Sequence, residues 1–151
     1  MGKMKKILAY LMITLCLCEV AQNQANAVEV VQEVIRYDDG SYAEVILDVE
    51  PVEMARTSKT GTKSYVNVKK NSSGLVEFTY TLQGMFDYTG KTSVATRATT
   101  TCNIVRNGWV KKSDNHYCSG NKAYATGKFS NSSGTRTASL TLTCSSTGKI
   151  S

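Results

Sequence analysis

The clearest pattern in the chain runs from Val76 to Tyr88. Val76, Phe78, Tyr80, Leu82, Phe86 and Tyr88 alternate with Glu77, Thr79, Thr81, Gln83 and Asp87, a period of two that defines a strand with one buried face. Gly84 interrupts the pattern, and a bulge or a change of sheet is expected there. The return strand is expected from Thr92 to about Ile104. With Thr89-Gly90-Lys91 as the loop, Phe86 faces Val94, Leu82 faces Ala98, Phe78 faces Cys102 and Val76 faces Ile104. A loop of even length would set Phe86 against Ser93 and Leu82 against Arg97. A slip of one residue turns a whole strand over, so the apolar match selects the odd loop.

Upstream, Val28 to Val49 reads as a hairpin about the two-residue turn Asp39-Gly40. That turn sets Tyr37 opposite Tyr42 and Val34 opposite Val45. Val30, Val34, Ala43, Val45, Leu47 and Val49 then share one face. A short helix over Val28–Tyr37 competes, but the β-branched content favours strand. Residues 50–63 hold the only proline and no periodicity, and read as a linker between this hairpin and a main body at 64–151. Asn107-Gly108 signals another hairpin and brings Trp109 beside Cys102–Ile104. Residues 122–129 and 136–144 give two more strands. Seven or eight short strands at this spacing predict an all-β chain. The expected fold is one small β-sandwich, immunoglobulin-like or similar, with a small barrel as the alternative.

The N-terminus changes the compartment. Lys3, Lys5 and Lys6 precede the apolar run Ile7–Cys18, and Ala25-Asn26-Ala27 supplies small residues for cleavage. These are the three regions of a secretory signal. Residues 1–27 are therefore expected to be a signal peptide, with a secreted, extracellular or wall-associated product and no retained membrane anchor. Cysteines 102, 118 and 144 remain, and export permits a disulfide. Cys102 and Cys144 both fall on apolar strand faces, which makes Cys102–Cys144 the preferred pair over Cys102–Cys118.

Charge is unevenly spread. Residues 28–53 carry eight carboxylates against Arg36, while residues 54–151 carry 14 Lys and Arg against Glu77, Asp87 and Asp114. An acidic segment docked on, or shielding, a basic body is one reading; a solvated surface that keeps the chain soluble is the other. His116 and Cys118 could be cast as base and nucleophile. They sit two apart in a polar stretch, whereas working dyads usually come from separate elements and need an orienting group. Asp38-Asp39 have a complete explanation as turn residues. No zinc or calcium spacing is present, so no catalytic residue, metal or cofactor is expected. Phe78, Tyr80, Phe86 and Tyr88 belong to the core face. Trp109 is assigned to core packing, while Tyr117 and Tyr124 are less constrained.

One run of segments stands out in its order and spacing: DDGSYAE (38–44), EPVE (50–53), KTGTKSYVNVKKNSSG (59–74), FTYTLQGMFDYTGKTS (78–93), Trp109, SGNKAYATG (119–127) and LTLTCSSTGKIS (140–151). In these segments the chain resembles a family of small secreted proteins of unknown function from Gram-positive, clostridia-like bacteria. The resemblance implies a compact extracellular β fold and carries no activity, substrate or catalytic residue. Similar sequences place a cysteine soon after the YTG turn; here Thr92–Thr96 has none.

Two functions fit these observations. The first is a non-catalytic extracellular or cell-surface module binding anionic cell-wall polymers or acidic glycans, with Lys69, Lys70, Lys111 and Lys112 as candidate contacts. The second is a small secreted effector, an antagonist of neighbouring cells or an inhibitor of a secreted enzyme, with the acidic hairpin as a removable shield. Nucleic acid is not an expected partner.

Overall fold

The computed structural model describes residues 28–49, 57–68, 74–106 and 108–151. The expected signal peptide, residues 50–56, Lys69 and Lys70 lie outside the described residues. Among the described residues eight antiparallel strands follow one another: β1 Val28–Arg36, β2 Tyr42–Val49, β3 Ser58–Val68, β4 Val76–Tyr88, β5 Ser93–Ile104, β6 Val110–Ser119, β7 Lys122–Asn131 and β8 Gly134–Thr143. They form a sandwich of two open sheets, β1-β2-β3-β4-β5 and β6-β7-β8. Each sheet keeps sequence order, so the connectivity is a meander in each layer, unlike the interleaved strand order of immunoglobulin domains.

β4 follows its alternation throughout. Phe78, Tyr80, Leu82 and Phe86 are buried, while Gln83, Met85 and Asp87 are exposed. Leaving water stabilises each of these large side chains by roughly 1.5–3 kcal/mol. Tyr65 of β3 joins them, stacking on Phe78 at 5.9 Å. The three-stranded sheet answers mostly with small groups: Ala123, Ala125, Gly127 and Ala138, together with Leu140, Leu142 and Phe129. Phe129 stacks on Phe78 at 4.3 Å and meets Tyr80 edge-on at 5.4 Å. Trp109 packs on Phe78 at 4.9 Å as a core residue.

Gly84 is neither a bulge nor a corner. It pairs in register with Gly61 and Ala98, and a Cβ there would lie 2.8 Å from the Phe86 ring and 3.1 Å from Ala123 of the other sheet. Close approach between the layers is what excludes a side chain. The irregularity sits on β5 instead. The β4–β5 loop has four residues, so Phe86 pairs with Ala95 and Asp87 with Val94, which is exposed. A bulge then skips Thr96 and restores parity, setting Leu82 opposite Thr100, Tyr80 opposite Cys102 and Phe78 opposite Ile104. The expected pairs of Phe86 with Val94, Leu82 with Ala98 and Phe78 with Cys102 are corrected accordingly.

The acidic hairpin also turns differently. Tyr37 and Ser41 close a three-residue loop, with Gly40 N–H donating to Tyr37 O at 2.8 Å and Tyr37 N–H to Ser41 O at 3.0 Å. Gly40 has φ 75°, the left-handed residue that such a loop requires. Asp39 Oδ1 accepts from Ser41 N–H and Oγ at 2.9 and 2.6 Å. The extra residue pairs Arg36 with Tyr42 and Val34 with Glu44. Val34 therefore leaves the core face, and a bulge at Gln32 puts Val30 on the face of Leu47.

This hairpin is no appendage. Ala43, Val45 and Leu47 are buried, and β2 pairs with β3 from Tyr42–Val68 to Asp48–Thr62. Ser58–Lys63, expected as linker, belong to β3. Arg136 of β8 clamps the hairpin tip: its guanidinium donates to Asp39 Oδ2 at 2.8 Å and Ser41 Oγ at 3.0 Å, and lies 3.7 Å from the Tyr37 ring centre. Removing residues 28–53 would strip β2, a core strand paired with β3. Lys63 ties the layers further along the same β8 edge, donating from its ammonium to Thr141 O at 2.7 Å; burial pushes its pKa down.

Candidate functional site

Alternation in β6–β8 sends one set of side chains to the core and the other to the outside. The register aligns the outer set into rows: Ser119, Lys122 and Thr143; Tyr117, Tyr124 and Thr141; Asn115, Thr126 and Ser139; Ser113, Lys128 and Thr137. Tyr117 and Tyr124 face each other across the β6–β7 pair and stack at 4.9 Å with their planes 18° apart. Tyr117 is 53% exposed. Along the central strand, Lys122 and Lys128 flank Tyr124 and Thr126, about 20 Å apart at ordinary strand rise. Among the described residues no carboxylate side chain lies on this face. Asp114, the only acidic residue after Asp87, pairs with Gly127 and points the other way.

Asp114 instead closes the seam between the two sheets. Its Oδ1 accepts from Tyr80 Oη at 2.8 Å, both its oxygens accept from Thr100 Oγ1 at 3.0 Å, and Lys111 Nζ donates to Oδ2 at 2.9 Å. His116 Nδ1 lies 3.8 Å from Oδ1 and 3.4 Å from Thr100 Oγ1. Burial pushes the carboxyl up, but hydrogen bonds from Lys111, Tyr80 and Thr100 outweigh it and hold Asp114 below its ordinary value. Tyr80 is driven the other way, far above the usual phenol range, by burial and by its bond to Asp114. A carboxylate this fully engaged positions strands; it has little capacity left to take up a proton.

The expected site residues separate. Lys69 and Lys70 fall outside the described residues. Lys111 is engaged at the seam with Asp114, and Lys112, its neighbour, is the exposed bulge residue between the pairs Lys111–Phe129 and Ser113–Lys128. Cys102, Cys118 and Cys144 are free thiols, so the expected Cys102–Cys144 bridge is corrected. Cys102 lies at the Asp114 end of the sandwich. Cys144 follows Thr143, the partner of Lys122. Gly127, opposite Asp114, is five residues from Lys122, about 17 Å along a strand, whereas a disulfide needs Cα atoms within about 7 Å. Burial raises all three thiols above their ordinary value, which disfavours the nucleophilic thiolate. His116 and Cys118 share one face of β6 rather than a loop, with Thr100 and Asp114 beside the imidazole and Cys118 packed against the core.

Sequence reasoning missed Lys122 and Lys128, although their spacing in a strand with Tyr124 between them was visible. Among the described residues no cluster of three or more His, Cys, Asp or Glu is placed to hold a metal ion, and no helix is long and apolar enough to cross a membrane. No family model matches the chain, and no curated protein or solved structure shows significant similarity to it.

Proposed function

We propose that this chain is a non-catalytic extracellular binding module that holds anionic polymers, wall phosphates or acidic glycans, on the outer face of β6–β8. One observation carries the reading: a sheet face with two lysines on its central strand, a stacked tyrosine pair between strands, small hydroxyl and amide side chains around them and, among the described residues, no carboxylate. The acidic residues Glu29, Glu44 and Asp48 lie on the outside of the other sheet, paired outward in β1 and β2. In a sandwich the two outer faces point in opposite directions, so the acidic strands neither cover nor neutralise the lysine face. Export by the N-terminal signal and the family resemblance both fit an extracellular setting.

The test is retention on an anionic matrix across a salt series. The unaltered chain should be retained at low salt and released as salt rises, because exposed charges are screened beyond roughly 8 Å at physiological ionic strength. Lys122→Ser with Lys128→Ser should lose most of that retention. Arg97→Ser with Arg106→Ser removes the same charge from exposed sites on or just beyond β5 of the other sheet and should lose little. Equal losses from the two double variants would sink the site.

A further inference from the structure

β1 ends the five-stranded sheet, and among the described residues only β2 pairs with it. Val28, Val30, Val31 and Val34 are 45–61% exposed there. An end strand of this kind is a template for another strand unless something blocks it, and the order of residues in β1 selects which strand fits. The bulge at Gln32 places Val30, Glu33 and Ile35 on the core side and Glu29, Val31, Val34 and Arg36 on the outer side. Consider a second β1 laid antiparallel with Glu29 opposite Arg36. Val30 then meets Ile35 and Val31 meets Val34, each pair on a common face; Gln32 meets Glu33 beside the axis, and the Glu29–Arg36 charge pair occurs twice. In an unbulged strand, residues seven apart lie on opposite faces, and this register could not close about a two-fold axis. The bulge makes it self-complementary. Sliding the copies so that Glu29 meets Glu33 would instead set like charges against each other twice, which is destabilising.

The geometry points to a two-fold dimer formed by antiparallel pairing of β1 with β1 of a second copy, joining two five-stranded sheets into one of ten. The interface is isologous and closes on itself, so it does not propagate into a fibre. The axis stands perpendicular to the joined sheet, which puts both three-stranded sheets on the same side. Both lysine–tyrosine faces then lie on that side of the joined sheet, turned relative to each other by its twist. Resting on the function proposed above, this gives a bivalent surface on which one polymer engages both copies, with the second contact made at high effective concentration.

Sedimentation velocity of the purified chain over a rising concentration series tests the pairing. Mass should move from one chain towards two. Glu29→Arg and Arg36→Glu each create two like-charge pairs across the axis and should raise the midpoint concentration about tenfold. Both positions are exposed on an end strand, so thermal unfolding of each variant should match the parent at concentrations where all are monomeric. Mixing the two variants is the decisive arm. One copy then carries two arginines and the other two glutamates, and dimer should return at the parent midpoint. A monomer at every concentration overturns the dimer. A dimer indifferent to the single variants, or one that mixing fails to restore, overturns the β1 register. Unchanged polymer retention in the Lys122 and Lys128 variant with dimerisation intact would sink the binding face alone.

Discussion

The two layers of the sandwich divide the work differently. The five-stranded sheet supplies most of the bulk of the core, through Tyr65, Phe78, Tyr80, Leu82 and Phe86, and turns a threonine-rich and partly acidic face outward. The three-stranded sheet meets it with alanine and glycine along β7, and turns outward lysine, tyrosine and hydroxyl groups. Large side chains from one layer fill space left by small ones from the other, which is how interiors reach crystal-like density. The difference teaches that the outer face of β6–β8 contributes little to holding the layers together. Its side chains are therefore open to selection for binding.

The largest predicted effect lies on the heavy side of that contrast. Phe78 touches Tyr65, Trp109 and Phe129, and Phe78→Ala should cost about 3–5 kcal/mol in chemical unfolding. Thr81→Ala, on the outer face of the same strand, should cost little. Equal costs would mean that β4 does not bury the face described. The light side breaks by addition rather than by loss. A Cβ at Gly127 would lie 2.9 Å from the Phe129 ring and 3.0 Å from the Tyr80 ring. Gly127→Ala should therefore cost about 1–3 kcal/mol by overpacking; a neutral or stabilising result would show that the layers have room to part.

The same contrast explains what the chain announces and what it conceals. β4 is legible because one face meets a packed layer and the other meets water, so period two survives in the residues. The strand identities of β5, β7 and β8 follow for the same reason. β6 was expected only as the return arm of an Asn107-Gly108 hairpin, whereas β5 and β6 belong to different sheets. The core-side positions of β6 include Asp114 and His116, which close a seam rather than fill an interior, and both faces read as polar. Turn parity was concealed by a backbone choice. The DG pair suits either a two-residue turn or the three-residue loop that Asp39 stabilises through Ser41, and only the second carries the extra residue. Gly84 looked like a break because a missing Cβ in a strand has the same appearance whether it bends the chain or admits the opposite layer. Arg136 was unreadable for another reason: its partners Tyr37, Asp39 and Ser41 are about a hundred residues away in sequence.

The seam between the layers gives a smaller, pH-dependent effect. Asp114→Asn keeps an acceptor for Tyr80 but removes the charge that Lys111 and Thr100 address, and should cost about 1–2 kcal/mol near neutral pH. Asp114 is held below its ordinary value of 3.8 in the folded chain. Its contribution is therefore complete above the unfolded value and is lost as pH falls through the folded one. The stability gap between the parent and Asp114→Asn should narrow on acidification below about pH 4, measured by denaturant unfolding at a series of pH values. A gap that widens on acidification would mean that Asp114 is not held ionised by this cluster.

The smallest predicted effect on stability separates a structural from a binding role for the tyrosine pair. A cross-strand aromatic pair on an open sheet face stabilises by about 0.2–1 kcal/mol, so Tyr117→Thr, which keeps strand propensity, should cost no more than that. If the pair exists only to hold β6 against β7, retention on every anionic matrix should stay as it was, because both lysines remain. If the face reads sugars, the outcome depends on the matrix. A pyranose ring can lie against an exposed aromatic face, whereas inorganic polyphosphate has no ring to offer. Tyr117→Thr should then weaken retention on an acidic polysaccharide while leaving polyphosphate retention unchanged. Equal weakening on both would assign Tyr117 to positioning the lysines, and no weakening on either would reduce the pair to a strand contact.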